Sequence, residues 1–136
     1  MNMEFLLKAF GKYPRVQEIC NQLNRGCRAI QVEGMNPAAK GLFATVLAAA
    51  AGRPVLLITY NQDQAERLFE DISMLNAPGL DLRLMPSADG MIYTDGGADP
   101  DAVAGRISAL TRLSSGGRCI IVAPISAVLQ RTFAPE

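Results

Sequence analysis

The stretch "GRPVLLITYNQDQAERLFEDI", Gly52 to Ile72, decides the fold class of this chain. Gly52, Arg53 and Pro54 interrupt whatever precedes them, and "VLLITY" then lacks the polar alternation of a strand with one wet face. It predicts a central parallel strand covered on both sides. After it, Ala65, Leu68, Phe69, Ile72 and Leu75 recur at helical spacing, while Asp63, Glu66, Arg67, Glu70 and Asp71 fall on the opposite side. That spacing predicts an amphipathic helix with a solvated charged face. A buried strand feeding such a helix is half of a βαβ unit, so the flanks should repeat the pattern.

Towards the amino terminus, a helix from about Ala38 to Ala51 is apolar nearly all round and must be covered on most sides. Before it, "CRAIQVEG" offers Ala29, Ile30 and Val32 for a buried strand. The first 26 residues read as a helical pair, with one apolar stripe at Phe5, Leu6, Ala9 and Phe10 and another at Val16, Ile19, Cys20 and Leu23, ended by Gly26.

Towards the carboxyl terminus, "LDLRLMP" predicts a strand around Leu82 to Met85, and the long connection through residues 86–98 has an apolar centre at Met91, Ile92 and Tyr93. Asp99 before Pro100 is a helix start with a mechanism, because the carboxylate accepts a first-turn N–H and proline at the first helical position loses no useful donor. Val103, Ile107, Leu110 and Leu113 give that helix an expected buried stripe to about Ser114. "CIIVA" is a second clean strand, and Pro124 opens a last helix, "PISAVLQR". Two helices followed by βαβαβαβα call for a mostly parallel sheet with helices on both faces, an α/β three-layer sandwich. Residues 1–26 form its helical pair and 27–136 its βα core, expected to act as one domain cut from a longer multidomain protein.

Composition excludes several function classes. Lys plus Arg and Asp plus Glu each total 13, so no global positive field gathers nucleic acid. Arg106, Arg112, Arg118 and Arg131 lack interleaved aromatics and read as surface residues rather than as phosphate-backbone contacts. Histidine is absent, and Cys20, Cys27 and Cys119 show no metal or redox spacing, so they read as reduced, mostly buried thiols. No apolar run reaches the roughly 20 residues that span a bilayer, and the amino terminus is unlike a signal peptide. The expected location is the cytoplasm.

Between the first expected strand and the apolar helix lies "VEGMNPAAKGLF", Val32 to Phe43, where a phosphate-binding loop would sit. A working P-loop has the pattern G-x-x-x-x-G-K-[ST]. Here Gly34 fills the first glycine, Ala39 replaces the second, Lys40 holds the lysine position and Gly41 stands where a magnesium-binding hydroxyl is required. Pro37 also removes one N–H from the cradle. "CIIVAP" ends in Ala123 and Pro124, where a magnesium-coordinating strand would offer an acid. The loop therefore reads as vestigial, with no catalytic residue, metal ligand or cofactor assigned.

Three pieces in order, "GRPVLLITYNQDQAERLFEDI", "DPDAVAGRISALTRL" and "IIVAPISAVLQR", together with the degraded "AAKG", resemble the amino-terminal, UvrB-like domain of bacterial transcription-repair coupling factors, the Mfd family. The resemblance implies a degenerate P-loop NTPase fold similar to the first domain (1a) of UvrB. It implies a non-catalytic scaffold in transcription-coupled DNA repair, with stalled RNA polymerase displaced and DNA engaged through other domains, including a separate ATP-driven translocase. UvrA is the implied partner, engaged chiefly by the domain that follows. Two departures stand out: Ala88 to Tyr93 replace the family's W-D-x-L-P-Y segment, and Pro37 replaces a usual glycine. A second reading makes the chain half of a nucleotide-dependent helicase or NTPase core completed by sequence beyond Glu136. A scaffold domain should also expose an apolar docking patch, expected at Met91, Ile92 and Tyr93 with Val128 and Phe133.

Overall fold

The computed structural model describes residues 3–87 and 99–130. Helices α1 (Met3–Gly11) and α2 (Pro14–Asn24) lead to α3 (Pro37–Ala51); then come β1 (Val55–Thr59), α4 (Gln62–Leu75), β2 (Asp81–Leu84), α5 (Pro100–Ser115), β3 (Cys119–Pro124) and α6 (Ile125–Leu129). The three strands form a parallel sheet in the order β1-β3-β2. The α/β class and the helices on both faces agree with the expectation. The α4 pattern does too: Ala65, Ile72 and Leu75 are buried and all five predicted charges are exposed.

Two cores lie on opposite sides of β3, because side chains alternate along a strand. Ile120 and Val122 meet Ala44 and Ala48 of α3 and Ala65 and Ile72 of α4, with Val55, Leu57, Leu82 and Leu84 of the flanking strands packed around them. On the other face, Cys119, Ile121 and Ala123 meet Ala109 of α5 and Ala127 of α6, with Met85, Leu110, Leu113 and Val128. α1 and α2 pack on α3, which covers this apolar helix on its outer side.

Four expectations are corrected. First, the central strand is β3, whose six residues are all buried, and not "VLLITY": β1 lies at one edge of the sheet, with Leu56 39% and Ile58 52% exposed. A long apolar run reports that a strand is flanked by apolar matter, not which position it takes. Second, "CRAIQVEG" is not a strand. Residues 27–33 are irregular and mostly exposed, and they pair with no strand of the three-stranded sheet. Third, the buried stripe of α5 is rotated: Ala109 faces the sheet with Leu110 and Leu113 beside it, while Ile107 is 60% exposed and Val103 is also on the exposed side. Small residues let α5 approach β3 closely, and the larger apolar ones turn outward. Fourth, Cys27 is exposed and Cys20 half-buried, leaving Cys119 as the buried thiol. Among the described residues no helix is long and apolar enough to cross a membrane.

Candidate functional site

The loop expected to mimic a phosphate cradle runs into α3, and its residues part company there. Gly34 takes a positive φ of 73°, a backbone conformation natural to glycine. Asn36 caps α3, its Oδ1 accepting the Ala38 amide at 3.0 Å, and its carbonyl accepts the Ala39 amide at 2.9 Å. Pro37 at the first helical position has no N–H to give. Thus Ala38 and Ala39 already have acceptors for the amides an anion would otherwise draw on.

Successive helical residues point about 100° apart, so Ala39, Lys40 and Gly41 face three directions. Gly34, Asn36 and Ala39 line an open groove of about 710 Å³ whose far wall is Phe10, Tyr13 and Val16. Lys40 is exposed outside that groove. Gly41 is buried against α4, where a Cβ would lie 3.2 Å from Ile72 Cγ1 and 3.5 Å from Asp71 Cβ. The Gly41 carbonyl accepts the buried Thr45 hydroxyl at 2.8 Å. Where a P-loop would place its metal-binding hydroxyl, this chain packs one helix on another. Among the described residues no group of three or more His, Cys, Asp or Glu is placed to hold a metal ion.

Of the arginines flagged in the sequence, two are built into the fold. Arg106 donates to the Ala127 carbonyl at 2.6 Å and to the Gln130 carbonyl at 3.1 Å, holding the end of α6 onto α5. Arg112 pairs with Asp81 at 2.7 Å and donates to the Gly116 carbonyl at 3.1 Å. Arg118 is exposed, and Arg131 lies outside the described residues. The surface reading of Arg106 and Arg112 is therefore corrected: both are half-buried clamps.

The sequence reading missed the partners of that clamp. Asp81 and Arg83 sit two apart on β2 and so share a face; Arg83 pairs with Asp81 at 3.1 Å and donates to Ser108 Oγ of α5. The Asp81 carboxyl is held below its ordinary value by the Arg83 hydrogen bond first, with burial opposing and the charges of Arg83 and Arg112 adding to the lowering. The D-x-R spacing in "LDLRL" was the available signal. This cluster locks α5 to the edge strand β2.

The expected apolar patch falls largely outside the described residues. Val128 is half-buried in the core beneath α6 and does not form a patch; Met91, Ile92, Tyr93 and Phe133 lie outside the described residues. Among the described residues, large apolar side chains exposed to solvent include Leu56, Ile58 and Tyr60 along and just after β1, Ile125 and Leu129 of α6, and Phe5, Met74 and Ile107 elsewhere.

No protein-family model matches the chain. It is 29% identical over 112 residues to the transcription-repair-coupling factor of Bacillus subtilis (strain 168), a match covering 82% of this chain and 9% of that protein. The similarity supports a distant relationship to transcription-repair-coupling factors. The chain spans less than a tenth of that relative's length.

Proposed function

We propose that this chain is a non-catalytic, UvrB-like scaffold domain of a transcription-coupled DNA repair factor. In that reading the whole protein displaces stalled RNA polymerase with an ATP-driven module elsewhere and recruits UvrA, mainly through the segment that follows. The domain contributes shape and contact surface rather than chemistry, and it needs no cofactor. The packing of Gly41 against Ile72 carries the proposal, because it turns the position of the metal-binding hydroxyl into a helix–helix contact. The similarity to a transcription-repair-coupling factor over 82% of the chain supports the repair setting.

Titration calorimetry with magnesium ATP tests the non-catalytic half of the reading. The expected outcome is no saturable heat up to millimolar nucleotide; micromolar binding would favour the NTPase-half alternative. The repair half is tested by capture of UvrA on the immobilised chain and on a longer form carrying the next segment. Capture by the longer form is expected, and no capture by either removes the scaffold role.

A further inference from the structure

The zero net charge of the chain combines two opposed parts. Residues 1–53 hold seven Lys and Arg against three Glu, whereas residues 54–136 hold six against ten Asp and Glu. All seven cations of the first part are exposed, and among the described residues only Lys8 of that set is ion-paired, with Glu4 at 2.7 Å. In the second part, Arg83, Arg106 and Arg112 are half-buried and committed to partners within the fold. Free positive charge is therefore concentrated on the amino-terminal part.

Three of its cations gather at the corner between α1 and α2. Lys12 continues the helical bonding of α1, its amide donating to the Lys8 carbonyl at 3.2 Å. Phe5, Lys8 and Lys12 thus stand at helical positions i, i+3 and i+7 and project from one face. The other face of α1, with Leu6, Leu7 and Phe10, is half-buried where the helix packs on α3, and a Cβ on Gly11 would lie 3.6 Å from Val46 Cγ1 of α3. The apolar stripe expected from the sequence includes Phe5, but the structure leaves this ring 70% exposed among the cations. Around the corner, Tyr13 is 55% exposed, makes no side-chain cap to α2 and lines the groove together with Arg15. The nearby acids limit where an anion can lie. Glu4 compensates Lys8, while Glu18 of α2 and Glu33 of the opposite wall line the groove itself. Lys12 and Arg15 remain uncompensated, so a polyanion is favoured across the corner and not inside the groove.

We infer that the α1–α2 corner binds single-stranded nucleic acid, with Lys12 and Arg15 on backbone phosphates and the rings of Phe5 and Tyr13 stacked on bases. Exposed rings interleaved with cations suit a single strand, whose bases are free to stack while its phosphates require countercharge. A duplex would engage the cations alone, because its bases are already stacked on one another. An anionic bilayer fits less well, since the apolar side of α1 is occupied by α3 and only Phe5 is left to enter it. The inference is independent of the scaffold reading and adds a ligand to a surface that reading does not use.

Fluorescence anisotropy of labelled oligothymidylate and oligouridylate, titrated with the 136-residue chain over a range of salt concentrations, tests it. Saturable binding is expected, with log affinity falling against log salt at a slope of about −1.4 to −2.1 for two or three phosphates neutralised. Phe5→Ala and Tyr13→Ala should each weaken binding by about fivefold or more without changing that slope. Lys12→Ala should flatten it by about 0.7. All three side chains are exposed, so the variants should melt at the wild-type temperature, which separates a lost contact from a lost fold. Binding of either oligonucleotide with these variant effects supports the inference, and the tighter one identifies the strand as DNA or RNA. No saturable binding at low salt, duplex DNA of equal length bound as tightly, ring variants that bind like wild type, or capture by anionic vesicles without binding to either oligonucleotide would each overturn it.

Discussion

Gly41 shows how much one residue can carry. A hydroxyl there would meet Ile72, itself 2% exposed, before it met any ligand, so restoring the family of P-loop side chains is not a local repair. Gly41→Thr should destabilise the chain by about 1–3 kcal/mol through overpacking, read from denaturant unfolding, without conferring magnesium ATP binding. A stable variant that bound nucleotide would mean that α3 and α4 part easily. The degeneracy of the loop was legible in "NPAAKGLF", since each missing group has a stated job in phosphate binding. The direction in which Gly41 faces was not legible, because it depends on how α4 lies across α3.

At the scale of elements, caps and charge patterns were the dependable signals. Asp99 accepts the Asp101 amide at 3.0 Å at the start of α5, as the Asp-Pro pair predicts, and Asn61 caps α4 on the Gln64 amide at 2.9 Å. Those interactions span two or three residues and need no tertiary partner. The side of α5 that is buried, by contrast, is set by contact with β3 and by the Asp81–Arg83–Arg112 cluster. That clamp has a pH signature. Because the folded-state pKa of Asp81 is lowered from 3.8, its contribution is present above that value and is lost as pH falls through the folded value. Asp81→Asn should therefore cost about 0.5–1 kcal/mol at pH 7, with the gap from wild type closing below about pH 4 and shrinking in high salt. Thermal melts across pH 2–7 measure it, and a gap independent of pH would show that the arginines are not what holds the carboxylate.

For the whole molecule, β3 is the element on which both cores close. Ile121→Ala removes a side chain with no exposed surface and should cost about 2–4 kcal/mol, whereas Ile58→Ala, at the open edge of β1, should cost under about 0.5 kcal/mol in the 136-residue chain. Denaturant midpoints at equal slope provide the comparison. Similar losses at both sites would show that β1's outer face is covered after all.

The chain's own sequence determined that it is α/β, where the helices of residues 14–24, 37–51, 62–75 and 100–115 fall, and that the loop before α3 departs from the P-loop pattern at Ala39 and Gly41. Each of these follows from short-range periodicity, from a cap, or from a group that is absent. Tertiary structure decided that β3 is central, that "CRAIQVEG" stays outside the three-stranded sheet, and that Arg106 and Arg112 hold elements together. A strand's place depends on hydrogen-bond neighbours distant in the chain, and an apolar run looks the same at a covered centre as at an edge.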